Sequence, residues 1–323
     1  MSGPSGVQTA RAGRGGKAKT PGGRFRAWLG TGSWQYWLII ALPLAYIVIF
    51  AYVPMTGILM AFKDYSPRRG IWNSPWVGFR WFEQFLTTPS GVNVILNTLR
   101  LGFYSLIAGF PIPILLAVGL NEIRAIRFKK SVQMITYAPY FISTVVMVGM
   151  MMQLMDLRLG IFNRLILLAG GKGVNFFGEA GIFPHLYVWS GIWQTMGYSS
   201  IIYIAALSGV DRETQEAAIV DGASRLQRIW HVDLPSIRPT VVILLIFSCG
   251  SIMSIGFEKV YLMQNPINIS ASEVISTFVY KVGLQNANYS FSTAVGIFNS
   301  VIAFVLMITV NQLAKRLTGA GVW

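Results

Sequence analysis

The sequence predicts an all-α integral membrane protein with about six transmembrane helices. Hydrophobic residues make up 54% of the 323-residue chain and charged residues only 12%, about half the charged share of a typical soluble domain. Apolar runs of roughly 20 residues, the length a helix needs to cross a hydrocarbon core, recur along the chain. They are too long and too continuously apolar for barrel strands, so helices are the expected spanning elements.

Six runs have this character. Their approximate bounds are 34–62, 93–120, 131–155, 184–208, 240–262 and 292–314. Residues 1–33 precede the first run and are basic and rich in Gly, Ser and Ala, so we expect a disordered tail followed by a membrane domain over 34–323. A signal peptide is the alternative, but the first apolar run is too long and no small-residue cleavage site ends it.

The formal net charge of +14 does not indicate nucleic-acid binding, because the basic residues follow the loops rather than one domain. One side, made of both tails and the connections 121–130 and 209–239, carries 16 Lys and Arg. The other side, made of 63–92, 156–183 and 263–291, carries 8. By the positive-inside rule, the first side and both termini face the cytoplasm.

Motifs for chemistry within this chain are missing. The Gly-Lys pairs at Lys17 and Lys172 are not followed by Ser or Thr, so no phosphate-binding loop of the Gly-x4-Gly-Lys-Ser/Thr type is present. His185 and His231 fall on opposite sides of the predicted membrane and cannot share a metal. We therefore expect a non-catalytic chain that binds no cofactor and no metal itself.

The polar connection 209–239 predicts an elbow of two short helices. Asp211 is a good N-cap for the first helix and Gly222 a good terminator. An apolar stripe marks the second helix, with Leu234-Pro235 as its predicted stop. The first helix carries little side-chain bulk at Ala217 and Ala218, so another protein's surface can approach it. An amphipathic connector lying on the lipid headgroups is the alternative interpretation.

A resemblance separates these two interpretations. The residues that carry it are Glu216, Ala217, Ala218, Asp221, Gly222, Ala223, Leu234 and Pro235. In identity and spacing they resemble the EAA loop of permease subunits from binding-protein-dependent ABC importers. The resemblance implies a type I importer permease architecture in the bacterial inner membrane, with 209–239 as the coupling loop that docks into a cytoplasmic ATPase.

Further segments narrow the resemblance. Leu42-Pro43, residues 52–70 (YVPMTGILMAFKDYSPRRG) and residues 74–85 (SPWVGFRWFEQF) are similar to carbohydrate-uptake permeases for polysaccharide fragments and complex oligosaccharides, those of alginate importers included. The resemblance implies a saccharide cargo moved by alternating access. It also implies several partners: a second, related permease, two ATPase subunits that bind ATP and Mg, and an extracytoplasmic solute-binding protein.

Candidates for the substrate pathway come from residue chemistry. Sugar rings are held by aromatic faces and by amide or hydroxyl groups, and the fourth run offers Trp189, Trp193, Gln194 and Tyr198. Packing between helices is the alternative for such a stripe. Asn163, Asn265 and Asn268 lie toward the predicted outer ends of the runs, where an entering oligosaccharide would pass. Glu258 and Lys259, near the outer end of the fifth run, are predicted to reach the membrane interface or to pair locally. The alternative is that these ionisable groups mark a substrate pathway.

Three other functions are alternatives to a saccharide importer subunit. A permease for another solute class would share every feature of the coupling loop. An ion-coupled sugar carrier or a channel normally shows carboxylates or a charge ring within the membrane, which the middle of each run lacks. A membrane-embedded enzyme would need convergent catalytic groups.

Overall fold

The computed structural model describes residues 33–319, and nearly all of this range is helical. The α-helices are α1 (Ser33–Ile47), α2 (Gly70–Asn73), α3 (Arg80–Thr87), α4 (Pro89–Gly109), α5 (Pro111–Glu122), α6 (Ile126–Tyr137), α7 (Thr144–Leu154), α8 (Ile161–Leu168), α9 (Phe183–Ser208), α10 (Arg212–Val220), α11 (Arg225–Arg228), α12 (Leu234–Gly250), α13 (Phe257–Met263), α14 (Ile269–Ser272), α15 (Ile275–Tyr280) and α16 (Tyr289–Thr318). Except for Ser33, the predicted basic tail lies outside the described residues.

Four helical segments in the described range are long and apolar enough to cross a membrane. They are Trp34–Phe62, Pro89–Glu122, Arg225–Gly250 and Tyr289–Arg316. A fifth is added if Ile126–Phe141 and Thr144–Leu154, which meet at 100°, count as one span. The all-α membrane fold is therefore confirmed, whereas the predicted number of six is not reached by these criteria.

The third and fourth predicted runs differ from straight apolar spans. The third bends after Pro139, and Ser143 then caps a new helix by accepting a hydrogen bond from the Val146 N–H. The fourth forms the 26-residue helix α9, close to its predicted bounds. Its Ser, Thr, Gln and Gly residues keep it out of the four most apolar segments.

The fifth predicted run has the wrong bounds. Helix α11 continues through a wide π turn, Ile229–Asp233, directly into α12. Leu234-Pro235 is therefore not a stop, because Pro235 occupies the first turn of α12, where a missing N–H costs no intrahelical bond. The helix ends at Gly250, before α13 begins.

The chain divides into two compact units, one up to Gly57 and one from Ile58 onward. Within the second unit, α9 packs against α4, α5 and α6, and α12 packs against α16. Three clusters of buried apolar side chains hold this unit together, around Phe85, Leu101 and Tyr203. The helices of the second and third clusters also form the walls of a cavity.

Candidate functional site

A cavity of about 600 Å³ opens between α4, α5, α9 and the turn that joins α12 to α13. Hydroxyl and amide groups in its wall include Ser105, Gln194, Thr195, Ser199, Ser248 and Ser251. Tyr187 and Tyr198 add aromatic rings. The wall thus combines apolar surface with dispersed hydrogen-bonding groups, the composition expected of a small-molecule site.

The four candidates from the fourth run lie on two faces of α9. Gln194 and Tyr198 line the 600 Å³ cavity. Trp189 and Trp193 line a second, almost entirely apolar cavity of about 540 Å³ that contains several methionines. A helix turns by about 100° per residue, so positions 189 and 193 lie together and roughly opposite to 194 and 198. The structure therefore brings together only two of the four beside the polar cavity.

Contacts of these residues fix their orientation. Gln194 Nε2 donates to the Ile142 carbonyl over 2.8 Å. The ring of Tyr198 stacks on Tyr140 with centroids 3.9 Å apart and an angle of 5° between the planes. Trp189 Nε1 donates to the Tyr104 hydroxyl over 2.9 Å. The bend before α7 thus helps to position the Gln194 and Tyr198 side chains of the cavity.

The asparagine candidates are bound within the chain. Asn163 has no exposed surface, and its amide group bonds to four backbone groups, among them the carbonyl and the N–H of Val174. Asn265 and Asn268 both donate to the Phe177 carbonyl. In this conformation their polar atoms hold the loops together and none of the three lines the cavity.

Lys259 lies in the cavity wall, which agrees with the pathway alternative and not with the favoured interface prediction. Its Nζ donates to the Tyr187 carbonyl over 2.7 Å and sits 4.7 Å from the centre of the Tyr187 ring. The sequence signal was a pair of oppositely charged residues, Glu258 and Lys259, between apolar flanks. Whether Lys259 lies at a helix end or in the cavity wall depends on where α12 ends, and a hydropathy pattern does not reveal that it ends at Gly250.

The elbow residues 209–239 begin with a well-capped helix. Asp211 accepts hydrogen bonds from the Glu213 N–H and the Thr214 hydroxyl, both over 3.1 Å, as predicted for an N-cap. Helix α10 ends at a left-handed residue, Gly222, with φ of 80°. The Ala223 N–H then bonds back to the Ala218 carbonyl over 2.9 Å, the reversal that glycine favours at a helix C-terminus.

The second part of the elbow is tied to the rest of the chain. Ser224 and Gln227 form a reciprocal capping box at the start of α11. Gln215 Nε2 on α10 donates over 2.7 Å to Asp233, whose side chain is buried next to α12. Arg228 lies 3.8 Å from Glu122 at the end of α5. Direct contacts therefore link α10 to the start of α12, and α11 to the end of α5.

The tip of the elbow is exposed. Glu216, Ala217, Asp221 and Gly222 are exposed, and Leu234 and Pro235 lie apart from them in the first turn of α12. Beside the tip, Val220 (86% exposed), Leu226 (74%) and Trp230 (67%) present apolar side chains. We call these three residues the elbow patch. Exposed apolar side chains of this kind are typical of a surface that contacts another protein or a membrane.

Apolar helices around a cavity with hydroxyl and amide groups in its wall, together with an exposed elbow, are the features expected of a multi-pass membrane permease. Residues 109–319 match the family described as binding-protein-dependent transport system inner membrane component, and the chain belongs to this family. It is therefore an inner-membrane permease of the ABC importer class, as the elbow motif implied.

Two proteins from Bacillus subtilis (strain 168) are similar in sequence to this chain over nearly its whole length. Protein LplB is 41% identical over 290 residues, 90% of this chain and 91% of the relative. The polygalacturonan/rhamnogalacturonan transport system permease protein YteP is also 41% identical, over 90% of each chain. A solved bacterial ABC transporter that imports the acidic polysaccharide alginate contains a chain with 36% identity and a TM-score of 0.84, covering 91% of this chain and 99% of that one.

Proposed function

We propose that this chain is a transmembrane subunit of an ATP-driven importer that carries an oligosaccharide or polysaccharide fragment, alginate among the candidates, across the inner membrane. The observation that carries the proposal is the 600 Å³ cavity, whose hydroxyl, amide and tyrosine groups suit sugar hydroxyls and ring faces. Relatives named for polygalacturonan and arabinooligosaccharide transport support a saccharide cargo.

The proposed complex contains a second, homologous permease that closes the pathway. A solute-binding protein delivers the sugar from outside. One solved complex of the alginate transporter includes a periplasmic protein bound to an alginate pentasaccharide, and its permease chain has a TM-score of 0.85 with this chain. Two ATPase subunits, which hold ATP and Mg, complete the assembly.

The elbow is the proposed contact with one ATPase. Its exposed elbow patch and the small Ala217 provide a surface for docking. Movement of α10 passes to α12 through the hydrogen bond between Gln215 and Asp233, and movement of α11 passes to α5 through Arg228 and Glu122. Since α5 also lines the cavity, this linkage would couple ATP binding to a switch between outward-open and inward-open states.

A bulky side chain placed in the cavity tests whether the cargo passes through it. Thr195 is exposed in the cavity wall, and Thr195→Trp should lower uptake of the sugar by about tenfold or more, because an indole takes the volume that one sugar ring needs. The measurement is ATP-dependent uptake of labelled oligosaccharide into proteoliposomes that contain the whole complex.

The matched control is Thr309→Trp. Both threonines are exposed, and each hydroxyl bonds to the carbonyl four residues earlier, but Thr309 does not line the cavity. Thr309→Trp should transport normally. Unchanged uptake with Thr195→Trp would show that cargo does not pass through this cavity, and loss of uptake in both variants would point to a general packing defect.

A further inference from the structure

Lys259 is the charged residue in the wall of the 600 Å³ cavity; every other lining side chain is neutral in charge or apolar. The side chain is half-buried, and its ammonium group contacts the carbonyl and the ring of Tyr187. Neither contact carries a formal negative charge. By contrast, Lys281 lies 3.0 Å from the carboxylate of Glu273.

A cation in such a place is costly unless something compensates its charge. An ammonium group has three donors, and the Tyr187 carbonyl takes one of them. The carbonyl and the ring hold the ammonium in place while capacity for an anionic partner remains. Cationic side chains in membrane proteins that face a cavity commonly mark the path of a charged substrate.

The surroundings leave room for this arrangement. A Cβ at Gly191 on α9 would lie 3.1 Å from Lys259 Nζ, so any other residue there would press on the ammonium group. A Cβ at Gly256 would lie 3.6 Å from the Tyr187 hydroxyl. Gly191 therefore permits the ammonium to lie against α9, and Thr195 and Gln194 line the same cavity.

We propose that Lys259 binds a carboxylate of the cargo and that the cavity selects acidic, uronate-containing oligosaccharides. The inference rests on the proposed saccharide transport and adds the charge class of the substrate. The ammonium pairs with the ionised carboxylate, and the neutral groups of the wall bind sugar hydroxyls. If Lys259 had only a structural role, holding α13 against α9 through Tyr187, uptake would not depend on the charge of the cargo.

The experiment compares an acidic oligosaccharide with a neutral one of equal length. The probes are trigalacturonate, trimannuronate and their methyl esters, and a neutral galactan trisaccharide. Uptake is measured in proteoliposomes with the whole complex and one unchanged binding protein. Since delivery is then constant, a change in the acid-to-neutral ratio between variants reports on this chain.

Lys259→Gln should lower uptake of the acidic probes by about tenfold or more, the usual loss for a hydrogen bond to a charged group. Uptake of neutral probes should stay within about twofold. Lys259→Arg should keep most of the acid uptake, since the charge remains. Gly191→Ala should lower acid uptake alone, because the added Cβ displaces a flexible side chain end. Lys281→Gln, which removes a lysine outside the cavity, should leave the ratio unchanged.

Several results would overturn the inference. Equal loss of acidic and neutral uptake in Lys259→Gln would assign the lysine a structural role. An unchanged ratio in both Lys259→Gln and Gly191→Ala would show that the ammonium does not contact cargo. A wild-type complex that carries the neutral probe but neither acid would refute acid selection and leave saccharide transport standing. A complex that carries none of the probes would refute the proposed function itself.

Discussion

Gly222→Val should uncouple ATP hydrolysis from uptake while the chain still inserts and assembles. Gly222 adopts φ of 80°, and a Cβ there would meet nothing within 4 Å. A β-branched residue is strained in that conformation by about 1–3 kcal/mol, so the turn between α10 and α11 should change shape and alter the surface offered to the ATPase. We expect uptake to fall by about tenfold or more, as the loss of about 1.4 kcal/mol or more of coupling requires.

The measurement pairs ATP hydrolysis with uptake in the same proteoliposomes. Hydrolysis in Gly222→Val should no longer rise when the loaded binding protein is added. The amount of folded chain, followed by size-exclusion chromatography of a fluorescent fusion, should equal that of the wild type.

Gly170→Val is a closely matched control. Gly170 is exposed, has φ of 81°, meets nothing within 4 Å and ends α8 with the same pattern of backbone bonds. It carries the same local strain but lies outside the elbow. Transport should therefore be near normal in Gly170→Val, and a normal rate in Gly222→Val would remove the elbow from the coupling mechanism.

Gly197→Ala should cause the largest loss of stability among single-methyl additions in α9. A Cβ at Gly197 would overlap the Thr136 carbonyl group and lie 2.9 Å from the Tyr137 nitrogen. These atoms belong to the backbone of α6 and cannot rotate away, so α9 and α6 must separate. We expect the free energy of unfolding to fall by about 3 kcal/mol or more, at the upper end for an overpacked core.

Thermal unfolding of the purified chain in detergent measures this effect. Gly109→Ala is the control, because its Cβ would make an ordinary 3.6 Å contact with Ile192 on α9. It should unfold close to the wild-type temperature. If Gly197→Ala were as stable as Gly109→Ala, the close approach of α6 to α9 would be wrong.

The roles of Gly222 and Gly197 differ in how well the sequence alone predicts them. Gly222 was predicted as a helix terminator from its neighbours alone, because a C-terminal reversal is a local event that satisfies nearby carbonyls. Gly197 lies within an apolar helix. Its neighbours in the sequence do not predict that the backbone of Thr136, which is distant in sequence, packs against it. Close approach between helices depends on how both are packed.

The membrane class, the helical content and the N-cap at Asp211 followed from the sequence by itself, because hydropathy and capping act over one to five turns. Tertiary structure alone decided the bend after Pro139, the end of α12 at Gly250 and the division of α9 between a polar and an apolar cavity. It also decided that Lys259 faces the polar cavity. The physical reason is that each of these outcomes depends on which distant helix packs against a given helix face. The hydrophobic periodicity of one segment does not show which other segments pack against it.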